Sequence, residues 1–503
     1  MQRVAIGGLF AIMFAQALYL CWARGIWIDE IWSLWLGRRD LPFAQVVTER
    51  WTHDVHPPLF SAINWLFDPA VGLNIVLRRL LNLLPLAAFI GGAAYVARRD
   101  RALGKIVLVF AVLLTTNAFY FVNFAEHRPY FLMENGYALA LLSLYAIAIS
   151  PGDFERRRDL PLALLSAAAI FVALNSHFVC AFIEAPSIGL VLLDQLRRRR
   201  WGWSAWIAGA VAIAVLTLLL TFYLQYAYVG PTAKNLWIDT GMRKGLQIIA
   251  RAVAYCAVGN VVAAAVAMLV LWRIGRTSEP AADGARPPAG SLTFILALGL
   301  GVVAAAIAMV AINAVKPIIE YRYFAPFAPA SALILAVLAA PRILSSRWLL
   351  MAFLLNGLLL GAWATHREAK NLRWDATARY IQAEVRKCPT TRVYGVDPRY
   401  VQPYTGAEGH DRVQAWGYQI VGRAFGFEAQ PIHMDAPAAI LTDDRCPTLF
   451  WAEHMFERDA VRQVMAAPFG PMLPPGVSLK SAKVFRGPSG FVIRLPAMPL
   501  TPG

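Results

Sequence analysis

Residues 53–60 read HDVHPPLF, placing two imidazoles and a carboxylate beside a pair of prolines. Proline pushes the residue before it out of the helical region, so His56 is presented on a stiff turn. Pro57 and Pro58 can then open a helix over LFSAINWLF, since proline suits a first helical turn. From that turn His56 can hydrogen-bond a phosphate, or HPP can serve only to lock the chain; the residues themselves leave both readings open. Asp29 and Glu30 stand upstream in GIWIDEIWSLWLGRRD, and His53 and Asp54 flank the turn. Further along come Glu126, His127, Arg128 and Tyr130, then His177, then Lys316, Glu320, Tyr321, Arg322 and Tyr323. A positioned carboxylate can take a proton from a hydroxyl, and guanidinium groups can hold a phosphate through two parallel hydrogen bonds. A site handling a phosphate and a proton needs this mixture.

The elements that would position these groups are membrane helices. The chain has 503 residues, of which 58% are hydrophobic and 16% charged, more apolar surface than one soluble core can bury. Apolar runs of roughly 20 residues, enough to cross about 30 Å of hydrocarbon, recur through the first 365 residues. About eleven spans are expected, at 4–23, 76–97, 105–122, 131–150, 160–177, 178–194, 204–224, 247–272, 291–314, 324–340 and 348–365. The chemistry-bearing residues above fall between spans or at span ends. Asp29 and Glu30 open an amphipathic helix with Ile28, Ile31, Trp32, Trp35 and Leu36 on one face, a pattern suited to the headgroup region.

The formal charge of +16 has a topological cause and does not call for nucleic acid. Arg98, Arg99, Arg101 and Lys105 follow the second expected span, Arg156 to Arg158 the fourth, Arg197 to Arg200 the sixth, Arg273 and Arg276 the eighth, and Arg342 and Arg347 the tenth. By the positive-inside rule these loops are cytoplasmic, as is the N-terminus. The chemistry-bearing ends and the C-terminal tail then face outside. Residues 273–290, rich in Pro, Gly and Ala, read as a flexible linker. Residues 366–503 contain no further span and open with LRWDATARYIQAEVRKC at helical spacing, so a small α/β domain is expected there. Cys388 and Cys446 each precede a proline and a strand-like run; if those strands are neighbours on the oxidising side, the two are placed to pair.

DE in the first long loop followed by HPPLF resembles the membrane glycosyltransferases of the GT-C fold, in the branch holding protein O-mannosyltransferases, the aminoarabinose transferase of lipid A and the lipopolysaccharide galacturonosyltransferases. VLRRLLNLLP at 76–85, EHRPYFL at 126–132, NSHF at 175–178 and EYRYFAPFAP at 320–329 resemble further motifs of that branch, in the same order.

The resemblance implies a GT-C-like, α-helical polytopic domain over 1–365, whose first outer loop is 24–75, followed by a periplasmic α/β domain over 366–503. It implies an inner-membrane enzyme that moves a sugar from a polyprenyl-phosphate donor to an envelope acceptor, whether glycolipid such as lipopolysaccharide, polysaccharide or protein, with inversion. Asp29 matches the family's first-loop acid and is the expected general base, with Glu30 as alternative or helper. Arg128 and Arg322 are the expected phosphate ligands, joined by His56, Tyr130, Tyr323, Lys316 and His177; behind them stand His53, Asp54, Arg78, Arg79 and Glu126. Asp29, Glu30, His53, Asp54 and His56 are donor types that suit a divalent ion, but their spacing matches no compact ligand motif, so no cofactor is assigned and a divalent metal stays open. The rival class is a transporter or flippase of envelope lipids with a soluble tail. Glu184, a carboxylate inside an expected span, is a separate functional flag.

Overall fold

The structure is a computed structural model that describes residues 2–234, 241–258, 288–396, 410–432, 445–453 and 482–497. Two compact units divide the chain: residues 1–22 with 39–366, and residues 23–38 with 367–503.

The first unit is helical because its sequence is a succession of long apolar runs, in which only a helix pairs every backbone polar group internally. Among the described residues nine helices are long and apolar enough to cross a membrane: Val4–Ala23, Ile75–Arg99, Tyr130–Ile149, Arg156–Ser176, Phe178–Arg197, Trp201–Ala227, Ser291–Val315, Tyr321–Ser345 and Arg347–Ala369. A tenth is made by Ala102–Thr115 and Ala118–Phe124, bent by 70° at their junction. These correspond to ten of the eleven expected spans. The expected eighth span is represented by helix Met242–Val258, and its remainder, like most of the linker expected at 273–290, lies outside the described residues.

Helix Tyr130–Ile149 is the core element of this unit, with every residue from Tyr130 to Ala148 buried. It is apolar all round because it is surrounded by other helices rather than facing them on one side only. The bend above it has a local cause. Asn117 ends one helix and caps the next, its Oδ1 accepting from Phe119 N at 2.9 Å.

The second unit holds a five-stranded sheet of β1 (Arg392–Val396), β2 (Gln430–Pro431), β3 (Thr448–Glu453), β4 (Lys483–Arg486) and β5 (Gly490–Leu495), in the order β2-β1-β3-β5-β4. β1 is parallel to β2 and β3, while β5 is antiparallel to β3 and β4. Helix Trp374–Lys387 forms over the expected opening segment, and helix His410–Ala424 follows β1. Cys388 and Cys446 form a disulfide beside the parallel pair β1 and β3. Trp374, Tyr418 and Trp451 pack ring against ring under the sheet.

Helix Ile28–Leu36 belongs to this second unit. Ile31 and Trp35, expected at a headgroup surface, instead meet helix His410–Ala424: the Trp35 ring lies 5.4 Å from Trp416, and Ile31 fills the space beside Gly417. Gly25 secures the approach to this helix. Its N–H donates to Asn371 O at 3.2 Å, and a Cβ there would sit 1.7 Å from Leu372 O.

Candidate active site

Within the first unit, side chains from four distant segments converge where spans begin and end. His56 lies on the turn before helix Leu59–Val71, Arg128 and Tyr130 at the start of the central helix, His177 between helices Arg156–Ser176 and Phe178–Arg197, and Arg322 and Tyr323 in the 3-10 turn Tyr321–Phe324. The His56 and His177 rings are 4.8 Å apart, and His177 also touches Tyr130 at 5.1 Å and Tyr323 at 5.2 Å. The Arg322 guanidinium stands 6.0 Å from the Tyr130 ring, within cation–π reach.

The partners of each imidazole fix its proton. His56 Nδ1 lies 3.2 Å from Asp54 Oδ1, a carboxylate that can only accept, so Nδ1 carries the hydrogen. That leaves Nε2 free to accept from Arg128 Nη2 at 3.4 Å. Asp54 therefore orients His56, and His56 orients Arg128. His177 has the opposite tautomer: its Nδ1 accepts from Cys180 N at 3.4 Å, which places the hydrogen on Nε2. That Nε2 is buried and has no hydrogen-bond partner. An unmatched buried donor beside two arginines is suited to an oxyanion.

The backbone that carries these groups is itself held by buried amides. Asn82 Nδ2 donates to Phe124 O and Glu126 O, each at 2.9 Å, so it grips the turn bearing Arg128. Gln225 Nε2 donates to Trp51 O at 2.7 Å and His56 O at 2.9 Å, fastening the HPP turn. Asn313 Oδ1 accepts from Ile318 N and Ile319 N at 2.9 and 3.0 Å, which reverses the chain after helix Ser291–Val315 and delivers Arg322. Below lies an apolar floor that includes Phe119, Met133, Ile183, Met309 and Phe324.

The remaining expected residues have other places. Arg78 pairs with Asp68 and donates to Gly72 O and Asn64 O, and Arg79 donates to Cys21 O, so both guanidiniums brace the first unit. His53 Nδ1 bonds Thr52 Oγ1. Glu126 is buried in the Arg128 turn beside His127, whose ring packs on Phe60 at 5.2 Å. Lys316 ends helix Ser291–Val315 and joins none of the ring and hydrogen-bond contacts described above. Asp29 and Glu30 lie in the first turn of helix Ile28–Leu36, in the second unit; Glu30 is 0% exposed, while Asp29 is partly open. Glu184 is fully buried and its two carboxyl oxygens lack hydrogen-bond partners, as does one oxygen of Glu134, a residue the sequence reading passed over. Among the described residues no group of three or more His, Cys, Asp and Glu side chains is placed to hold a metal ion.

No protein-family profile and no curated protein sequence matches this chain. Two solved structures do. ArnT from Cupriavidus metallidurans in the apo state matches with a TM-score of 0.54, and the same protein bound to undecaprenyl phosphate with 0.51. In both cases the identity is 14%, and the match covers 97% of each chain. The chain thus has the fold of that protein along nearly its whole length, the GT-C architecture to which its motifs point.

Proposed function

We propose that this protein is a membrane glycosyltransferase that moves a sugar from a polyprenyl-phosphate donor to an envelope acceptor on the outer face of the inner membrane. The observation that carries this reading is the Asp54–His56–Arg128 chain converging with Arg322 and the unmatched Nε2–H of His177. One fold neighbour was crystallised with undecaprenyl phosphate, a ligand of the chemistry this cluster would hold.

In this mechanism the isoprenoid tail lies among the helices and its phosphate meets Arg128, Arg322 and His177. The acceptor oxygen attacks the anomeric carbon from the side opposite the phosphate, forming the new C–O bond as the old one breaks. The electron pair of the broken bond passes to the phosphate oxygen. Charge grows on the departing lipid phosphate, and preorganised guanidinium N–H groups stabilise that growth at little reorganisation cost. Asp29 accepts the acceptor's hydroxyl proton. Its partial exposure suits a base that an incoming substrate must reach, whereas Glu30 is sealed. The acceptor, whether glycolipid, polysaccharide or protein, defines the finer activity. By the positive-inside pattern the N-terminus is cytoplasmic and the tail domain periplasmic.

A carrier of envelope lipids or ions would instead rest on Glu134 and Glu184, carboxyl groups within spans. The two readings separate in membrane vesicles charged with radiolabelled polyprenyl phosphosugar. Asp29→Asn should reduce sugar transfer by about 10²-fold or more, the usual contribution of a positioned base. Undiminished transfer in that variant removes Asp29 as the base, and donor movement across the bilayer without any transfer favours the carrier.

A further inference from the structure

The tail domain contains a cleft of about 520 Å³, within the range of small-molecule sites. It lies wholly in the second unit, at the end of the sheet where β1 begins. Its lining includes Thr391 and Arg392 from the start of β1, Arg423 from the last turn of helix His410–Ala424, and Phe427, Glu428 and Gln430 from the segment leading into β2. The helix end is built to open this space. Phe427 N donates to Gly422 O at 2.9 Å and Gly426 N to Arg423 O at 3.1 Å, the two bonds of a Schellman turn. Gly426, with φ of +78°, supplies the left-handed residue that this turn requires.

The charge of the lining points to a ligand. Arg392, partly buried, and Arg423, exposed, line this one space, and neither has an ion-pair partner among the described residues. The guanidiniums select a phosphate or carboxylate, which they can hold with two parallel bonds. Glu428 and Gln430 supply acceptors for hydroxyl groups. Glu428 also disfavours a second negative charge nearby, so the cleft fits one anionic group on a hydroxylated body.

We propose that this cleft binds an acidic saccharide unit, a sugar ring bearing a phosphate or a carboxylate. As a docking point for the glycan acceptor it rests on the transferase reading above; as a binding site for an anionic sugar it stands without it.

The test uses the full chain in lipid nanodiscs, titrated calorimetrically with glucose 6-phosphate, galacturonic acid, glucose and inorganic phosphate. Both acidic sugars are expected to bind and glucose is not. Exchanging Arg392→Gln and Arg423→Gln together should weaken acidic-sugar binding by about tenfold or more, the loss of a charge-assisted contact. Glu428→Gln should instead tighten it several-fold, a gain that misfolding cannot imitate. The same titrations in an Arg322→Ala chain remove any contribution from the outer-rim cluster. Equal affinity for inorganic phosphate and glucose 6-phosphate would reduce the cleft to an anion site and overturn the saccharide assignment. Binding that the two arginine exchanges leave unchanged, or no binding by either acidic sugar, would overturn the proposal outright. Asp29→Asn should leave these affinities unchanged while transfer falls, so the cleft and the transferase reading fail separately.

Discussion

Two polar clusters, one in each unit, are put to opposite ends. In the tail domain the Glu453 carboxylate accepts from Trp451 Nε1 at 2.8 Å, from Ser489 Oγ at 2.7 Å and from Thr377 Oγ1. Its own N–H donates to Tyr418 OH at 3.0 Å, which in turn donates to Val396 O at 2.6 Å. Both carboxyl oxygens have donors, and the network ties strand to helix. In the membrane unit the cluster of His56, Arg128, His177 and Arg322 is organised by Asp54, yet His177 keeps a buried donor without an acceptor. A closed network specifies a packed core, whereas one that leaves a buried donor unmatched is suited to something that arrives.

The sharpest way to break this contrast is to remove a guanidinium. Arg128→Ala or Arg322→Ala should lower the transfer rate by about 10² to 10³-fold, the cost of losing one donor to a developing oxyanion. The thermal midpoint of the chain should barely move, because these groups act on the ligand. A drop in stability with transfer intact would mean that the cluster is core and would remove the distinction. Arg322→Lys keeps the charge but loses the planar fork, so transfer should recover only in part.

In the tail domain the order should reverse. The Cys388–Cys446 bridge joins residues 58 positions apart, and its loss should cost about 2–4 kcal/mol of that domain's stability. Tryptophan fluorescence melts of a Cys388→Ser, Cys446→Ser chain would read this through the buried Trp374 and Trp451. Transfer measured well below the lowered midpoint should stay near that of the unaltered chain. An equal loss of activity at low temperature would show that the domain's integrity is part of the chemistry.

The helical spans were plain in the sequence because a 20-residue apolar run has few other fates. Their ends are legible too, and His56, Arg128, Tyr130, His177, Arg322 and Tyr323 all fall at or between them. What could not be read was pairing. His56 and Arg128 are 72 positions apart, and no periodicity reports that one accepts a hydrogen bond from the other. Arg78 and Arg79 looked like spare phosphate ligands, but Asp68 and nearby carbonyl oxygens already hold them. Asn82 and Glu134 had a signal, since a polar side chain in an apolar run is a functional or structural flag. The same rule singles out Glu184. The first-loop helix misled because a tryptophan-rich amphipathic face fits a headgroup layer or a protein surface equally well, and here Trp416 covers it.

The finest test of the contrast is pH, because the closed network contains a titrating group in the tail domain, outside the membrane spans, whose ionisation folding opposes. Burial raises the Glu453 carboxyl to about 7 against the donor bonds from Thr377, Trp451 and Ser489 that favour its charged form. In the unfolded chain the same group titrates near 4.5. Between these values the folded domain binds the proton more tightly, so stability falls as pH rises through the interval. Below about pH 4.5 the favourable contribution is complete, and above about pH 7 it has gone, a difference of about 3 kcal/mol. The tail domain should therefore melt at a higher temperature at pH 5 than at pH 8. Glu453→Gln keeps the shape without the titration and should flatten that dependence. If the variant keeps the full slope, the titration arises elsewhere and the network is not closed in the sense argued above; if the slope vanishes while transfer at fixed temperature is unchanged, the two clusters do separate work.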